Sequence, residues 1–271
     1  MKLRYSLAPI AALFLTVGCK QNNQPLTSGE AQQALEEVSV SAEATNVTAT
    51  SIDIATNFTI GGAVEDAAKE IKAYLETTLP CAEITLIDAT LTVEYGAKPG
   101  DCTYKGRTYT GKHIISVDRN DENDVLVHHE WDELSNGKVS VTGAADVTWS
   151  LDDATRRVEH EVEWTRLSDG RTGVGSGDRL QKALEGGIDE GFQEDGSLAW
   201  DGKAGRWDLA IEAVQIRWID PVPQAGMYRL ATPQGKSATM SFSRIDDDTI
   251  KVTVASGDQS YDFNVSKLGV E

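Results

Sequence analysis

Cysteine, proline and aromatic residues are scarce in this chain, with 3 Cys, 7 Pro and 7% aromatics in 271 residues. Three cysteines cannot knit a disulfide scaffold or a four-thiolate zinc site, so stability must come from an apolar core. No apolar run reaches the roughly twenty residues that cross a bilayer as a helix. Positive charge is short too: 25 Lys and Arg face 43 Asp and Glu, for a net charge of -18. Such a field repels phosphate backbones, which argues against a nucleic-acid partner. There is no Gly-x-Ser-x-Gly, Walker loop, His-Glu-x-x-His or zinc-type cysteine set, and no privileged carboxylate pair. The expectation is a non-enzyme without cofactor or metal.

What is present starts at the amino terminus. Lys2 and Arg4 precede an apolar stretch over 7–17, of signal-peptide length, and Leu15-Thr16-Val17-Gly18-Cys19 follows. These residues resemble the lipobox of bacterial lipoproteins, over 1–19 only. The resemblance implies removal of 1–18, acylation of Cys19 and a membrane partner reached through that lipid anchor. In that family an Asp after the acylated cysteine retains the protein at the inner membrane. Lys20 stands there instead, which implies the outer membrane. With Cys19 given to lipid, Cys81 and Cys102 are left in an exported chain, where an oxidising compartment predicts a disulfide. It would close a loop of about 22 residues and contribute about 3 kcal/mol through chain entropy.

Residues 19–50 are rich in Gln, Asn, Ser, Thr, Ala and Glu. They read as a flexible acylated tether of roughly 30 Å reach, with a helical turn or two through Ala31, Leu35 and Val38. A single β-rich domain over 51–271 follows. Its helix, over about 62–79, places Val64, Ala67, Ala68, Ile71, Leu75 and Leu79 at helical spacing and stops at Pro80. After Cys81 the period becomes two. A main meander over 84–218 and C-terminal hairpins over 226–265 are separated by Pro221 and Pro223. The fold class expected is mainly β: an antiparallel meander forming a strongly curved sheet or half-barrel, covered by the one amphipathic helix.

Trp131-Asp132-Glu133-Leu134-Ser135-Asn136-Gly137 recurs as Trp164-Thr165-Arg166-Leu167-Ser168-Asp169-Gly170, 33 residues later, which marks one turn used twice. Keeping the apolar sets on one face demands an odd offset, so three-residue turns with Gly137 and Gly170 at φ > 0 are expected. Extended upstream, the same parity sets His113 opposite His129, with His160 on that face about 10 Å away and His128 on the other. Two histidines without a third ligand make a metal site the weaker reading. Trp131, Trp149 and Trp164 share the face as core or as the floor of a ligand pocket. Gly173, Gly175 and Gly177 are expected on the opposite face, where they would let the strand bend. The leading functional reading is a non-catalytic envelope lipoprotein with a binding or scaffolding role, its partner an unknown envelope protein or an apolar ligand. The alternatives are a carrier or binder of a lipid or other apolar ligand in a half-barrel cavity and an unrecognised hydrolase.

Overall fold

The computed structural model describes residues 24–55, 64–120, 124–150, 154–266 and 269–270. Two helices, α1 (Ser28–Ala55) and α2 (Val64–Thr78), precede the strands. These are β1 (Glu83–Ile87), β2 (Thr90–Tyr95), β3 (Thr103–Tyr104), β4 (Arg107–Thr108), β5 (Thr110–Arg119), β6 (Val125–Ser135), β7 (Val139–Ser150) and β8 (Thr155–Arg166). They continue with β9 (Arg171–Leu184), β10 (Gly187–Gly202), β11 (Gly205–Arg217), β12 (Ala225–Ala231), β13 (Ser237–Arg244), β14 (Thr249–Ser256), β15 (Gln259–Ser266) and β16 (Gly269–Val270). All but β3 and β4 join one open antiparallel sheet of 14 strands, each paired with its neighbour in sequence. The chain is therefore mainly β, as the alternation implied, and Cys81 and Cys102 are joined.

The region expected to be a tether behaves differently. Residues 28–55 form a continuous helix in which Ala31, Leu35, Val38, Val47, Ile52 and Ile54 are buried. Its start is specified locally by a capping box: Thr27 N donates to Glu30 Oε2 at 2.7 Å, and Glu30 N donates to Thr27 Oγ1 at 3.3 Å. Its β-branched and hydroxyl residues are weak helix formers, so packing has to supply the stability. The hydroxyls of Ser39, Thr48 and Ser51 donate to carbonyls three or four residues back, which lets them enter the core without unpaired groups. Upstream, Leu26 N donates to Ser256 Oγ and Leu26 O accepts from Tyr261 Oη, so the chain already docks on the sheet at residue 26.

The sheet wraps α1. Glu43 accepts from Arg107 on β4 and from Asn136 at the β6–β7 turn, while the adjacent Ser41, Thr45 and Asn46 line a cavity with Phe192, Leu209 and Tyr228 of β10–β12. In a flat sheet β6 and β12 would lie roughly 30 Å apart. A helix is only about 10–12 Å across, so the sheet must curl to touch both sides. The cover of the tryptophan face is thus α1, which packs on β6 and β7, and not the helix expected there; α2 packs on β1, β2 and β5.

The repeated turn corrects the register argument. Gly137 and Gly170 do take positive φ, 82° and 71°. Between the strand ends the first loop has three residues, 136–138, and the second has four, 167–170. At the first, Ser135 faces Ser140 and Leu134 faces Val141; the offset then shifts between Trp131 and Leu134, at a bulge where Glu133 has φ 51°. The extra residue demanded by parity sits in the strand, two positions before the turn. At the second, Arg166 pairs with Arg171 across four residues, without a shift. That even offset puts Gly173 opposite Trp164 and Gly177 opposite His160, so the glycines of β9 lie on the tryptophan face and not on the opposite one. A Cβ at Gly173 would meet Trp164 Cε2 at 2.6 Å, so the missing side chain makes room for the indole.

Candidate functional site: a polar cluster on the inner face

The proposed lipobox and Cys19 lie outside the described residues. The other residues singled out by sequence are placed by the sheet. Trp131, Trp149 and Trp164 are all buried on the inner face, and Trp131 Nε1 donates to Ser51 Oγ of α1 at 2.9 Å. His113 and His129 also meet there, although the register differs by one pair: Ile115 faces His129 and His113 faces Trp131. The diagonal contact brings His113 Nε2 and His129 Nδ1 to 2.8 Å. Both imidazoles are fully buried, and burial lowers His113 to about 3 and His129 well below the usual histidine range. No group of three or more metal-ligating side chains occurs among the described residues. His128 points outward as expected, on Asp146 at 2.7 Å and Glu130 at 3.3 Å. His160 aligns with His129 through Ala145 and contacts Arg179 Nη2 at 3.3 Å; burial brings it to about 3.

Beside these histidines lies a polar cluster that sequence reasoning missed. Arg156 on β8, Arg179 and Gln181 on β9 and Glu194 on β10 are inward-facing and buried. Arg156 Nε donates to Gln181 Oε1 at 2.6 Å, and Gln181 Nε2 donates to Glu194 Oε2 at 2.7 Å. The same oxygen accepts from Arg179 Nη1 at 3.0 Å. A second pair closes the end of the sheet. The β3–β4 hairpin, held by the disulfide, inserts Lys105 so that its Nζ lies 2.7 Å from Asp53 Oδ2 of α1 and 4.0 Å from the Trp218 ring centroid. Tyr104 Oη donates to the same carboxylate at 2.9 Å. The signal for the cluster was the parity of Arg156 with Val158 and His160. An arginine at a strand end reads as solvated, and nothing in spacing contradicts that.

Helix α1 borders open clefts of about 1150 Å³ beside Trp164 and about 520 Å³ beside Gly137, but the apolar space it covers against β10–β12 is small. Val38, Thr45, Phe192, Trp200, Val222 and Tyr228 help line a space of about 40 Å³, which Glu194 borders. Carboxylates of displaced acidity are shifted downward: Glu30, mainly by Lys236, to about 2, and Asp169, Asp178 and Glu212 through arginine. No helix among the described residues is long and apolar enough to cross a membrane. Comparison with family models, with curated proteins and with solved structures gives no match.

Proposed function

We propose that the protein is a non-catalytic envelope lipoprotein whose β domain serves as a binding or scaffolding module held at the membrane by Cys19. The observation that carries this reading is the filled inner face. With α1 seated on Trp131 and its neighbours, the apolar space enclosed by Val38, Phe192, Trp200 and Tyr228 is about 40 Å³, against the several hundred Å³ that a lipid-sized ligand needs; the larger spaces at the edges of α1, about 1150 Å³ beside Glu37 and Trp164 and about 520 Å³ beside Glu43 and Gly137, are open clefts lined with charged side chains. That favours a module whose recognition lies elsewhere than in a lipid cavity.

The tether is also shorter than composition suggested. Residues 25 and 26 are already pinned, through Lys236 Nζ to Pro25 O at 3.2 Å and through Ser256 and Tyr261 to Leu26. Six residues from Cys19 to Pro25 extend at most about 20 Å, so an acylated Cys19 would hold the domain close to the bilayer. Native mass spectrometry of the full chain released from detergent tests the reading. A polypeptide carrying only the acyl mass at Cys19 is expected. A copurified lipid would favour the carrier, and retention of Cys19→Ala on carbonate-washed membranes would refute the anchor.

A further inference from the structure

The polar cluster has an unbalanced charge. Its ions pair one to one by contact: Arg179 with Glu194 at 3.0 Å and Lys105 with Asp53 at 2.7 Å. Arg156 contacts no carboxylate among the described residues: 2% exposed, it bonds there to the neutral Gln181, and Asp53 and Glu194 act on it only at a distance. Its Nη1 and Nη2 have no hydrogen-bond partner among the described residues. The guanidinium lies against two aromatic rings, with Cζ 5.2 Å from the Trp149 centroid and 5.8 Å from that of Phe192. Ring faces stabilise a cation but accept no in-plane hydrogen bond, so they hold the group while leaving its outer edge unsatisfied. Buried ions are paired in folded proteins, because an uncompensated one costs several kcal/mol. A planar fork with four free N–H donors matches two acceptor oxygens on one anion.

We infer that Arg156 is the anchor of an internal site for a small oxyanion, a carboxylate or phosphate group, bound edge-on by Nη1 and Nη2. The site would give Arg156 the contact partner it lacks in a cluster where Arg179 and Lys105 already hold the carboxylates of Glu194 and Asp53. It also explains why the histidines next to it matter: neutral His129 and His160 add no competing charge. This deepens the binding reading by naming a ligand class and rests on that reading only in calling the domain a binding module.

The test uses the full-length protein in nonionic detergent, with chloride exchanged for acetate or phosphate at constant ionic strength. Acetate, phosphate or both should raise the melting temperature with the logarithm of concentration, while chloride does not. A response to acetate alone identifies a carboxylate ligand, and one to phosphate alone a phosphate. The response should vanish in Arg156→Met and weaken at least tenfold in Arg156→Lys, which keeps the charge but loses the fork. An equal response to chloride, an undiminished response in Arg156→Met, or no response to either oxyanion overturns the site. Should Arg156→Met fail to fold, saturation transfer from wild-type protein to the acetate methyl group, or broadening of the phosphorus resonance of phosphate, gives the same decision, and absence of both refutes it. The acyl mass at Cys19 is unaffected by any of these outcomes, so failure here leaves the anchored module standing.

Discussion

The central strands β6–β10 and the C-terminal strands β12–β15 present inner faces built on the same alternation, yet they bury different chemistry. On β12–β15 the inward positions include Tyr228, Leu230, Met240, Phe242, Val252 and Val254, an almost wholly apolar set. On β6–β10 they include His129, Arg156, Arg179, Gln181 and Glu194 among the tryptophans. An apolar face tolerates exchange of volume for volume, whereas a buried charge tolerates only its own partners. The period of a strand decides which residues face inward. It leaves open whether the inward face is merely core.

Acid should separate the two regions most. The unfolded chain binds protons at its histidines below about pH 6.5. Folded His113 and His160 stay neutral until about 3, and His129 is lowered in the same direction. Their contribution to stability is therefore complete above pH 6.5 and lost as pH falls, by up to about 1.4 kcal/mol per pH unit for each. His128, raised mainly by its bond to Asp146, works in the opposite direction from an exposed site. Hydrogen exchange at pH 4 should show β5–β8 losing protection before β12–β15, which contain no histidine. Uniform loss would break the comparison.

Glu194→Leu should follow, at about 3–5 kcal/mol, because it strands Arg179 and removes the acceptor that orients Gln181. Met240→Leu in the apolar half should cost less than about 1.5 kcal/mol. Urea midpoints compare the two, and similar losses would mean that the charges are no more demanding than the apolar core. Next is Gly173→Ala, whose methyl group runs into Trp164; about 1–3 kcal/mol is expected, with a change in Trp164 fluorescence. Gly137→Val should be smallest, about 1–2 kcal/mol, since space around Gly137 is open and only its φ of 82° opposes a side chain. A loss beyond 3 kcal/mol in a thermal melt would show that the turn sets the register, a role the structure gives to the bulge at Glu133.

The legible parts share one property: each rests on short-range pattern. Helix α2 shows one apolar stripe, with Ala67, Ala68, Ile71 and Leu75 buried, and so it was visible. Helix α1 is buried on most sides, so beyond the turn or two through Ala31, Leu35 and Val38 there was no stripe to find, and its Thr27-x-x-Glu30 box is a local sign of where it starts. The histidine pair came from parity, and it survived a register error because a shift by a whole pair keeps the face. Gly173, Gly175 and Gly177 were placed on the wrong face because a four-residue loop at 167–170 reverses the parity that a three-residue loop preserves.

By itself, the sequence determined the antiparallel meander, the amphipathic helix α2 and the left-handed turn glycines, since alternation and spacing act locally; the pairing of Cys81 with Cys102 followed from the expectation of an exported chain. Only the tertiary structure decided that residues 28–55 are a core helix and that Arg156 is buried with a neutral partner. Both depend on which strands curl to meet which, and that is set by loop lengths and by the register shifts in five strand pairs, whose effect accumulates along the sheet. A helix of weak formers and an arginine at a strand end have no fixed environment until the sheet closes over them.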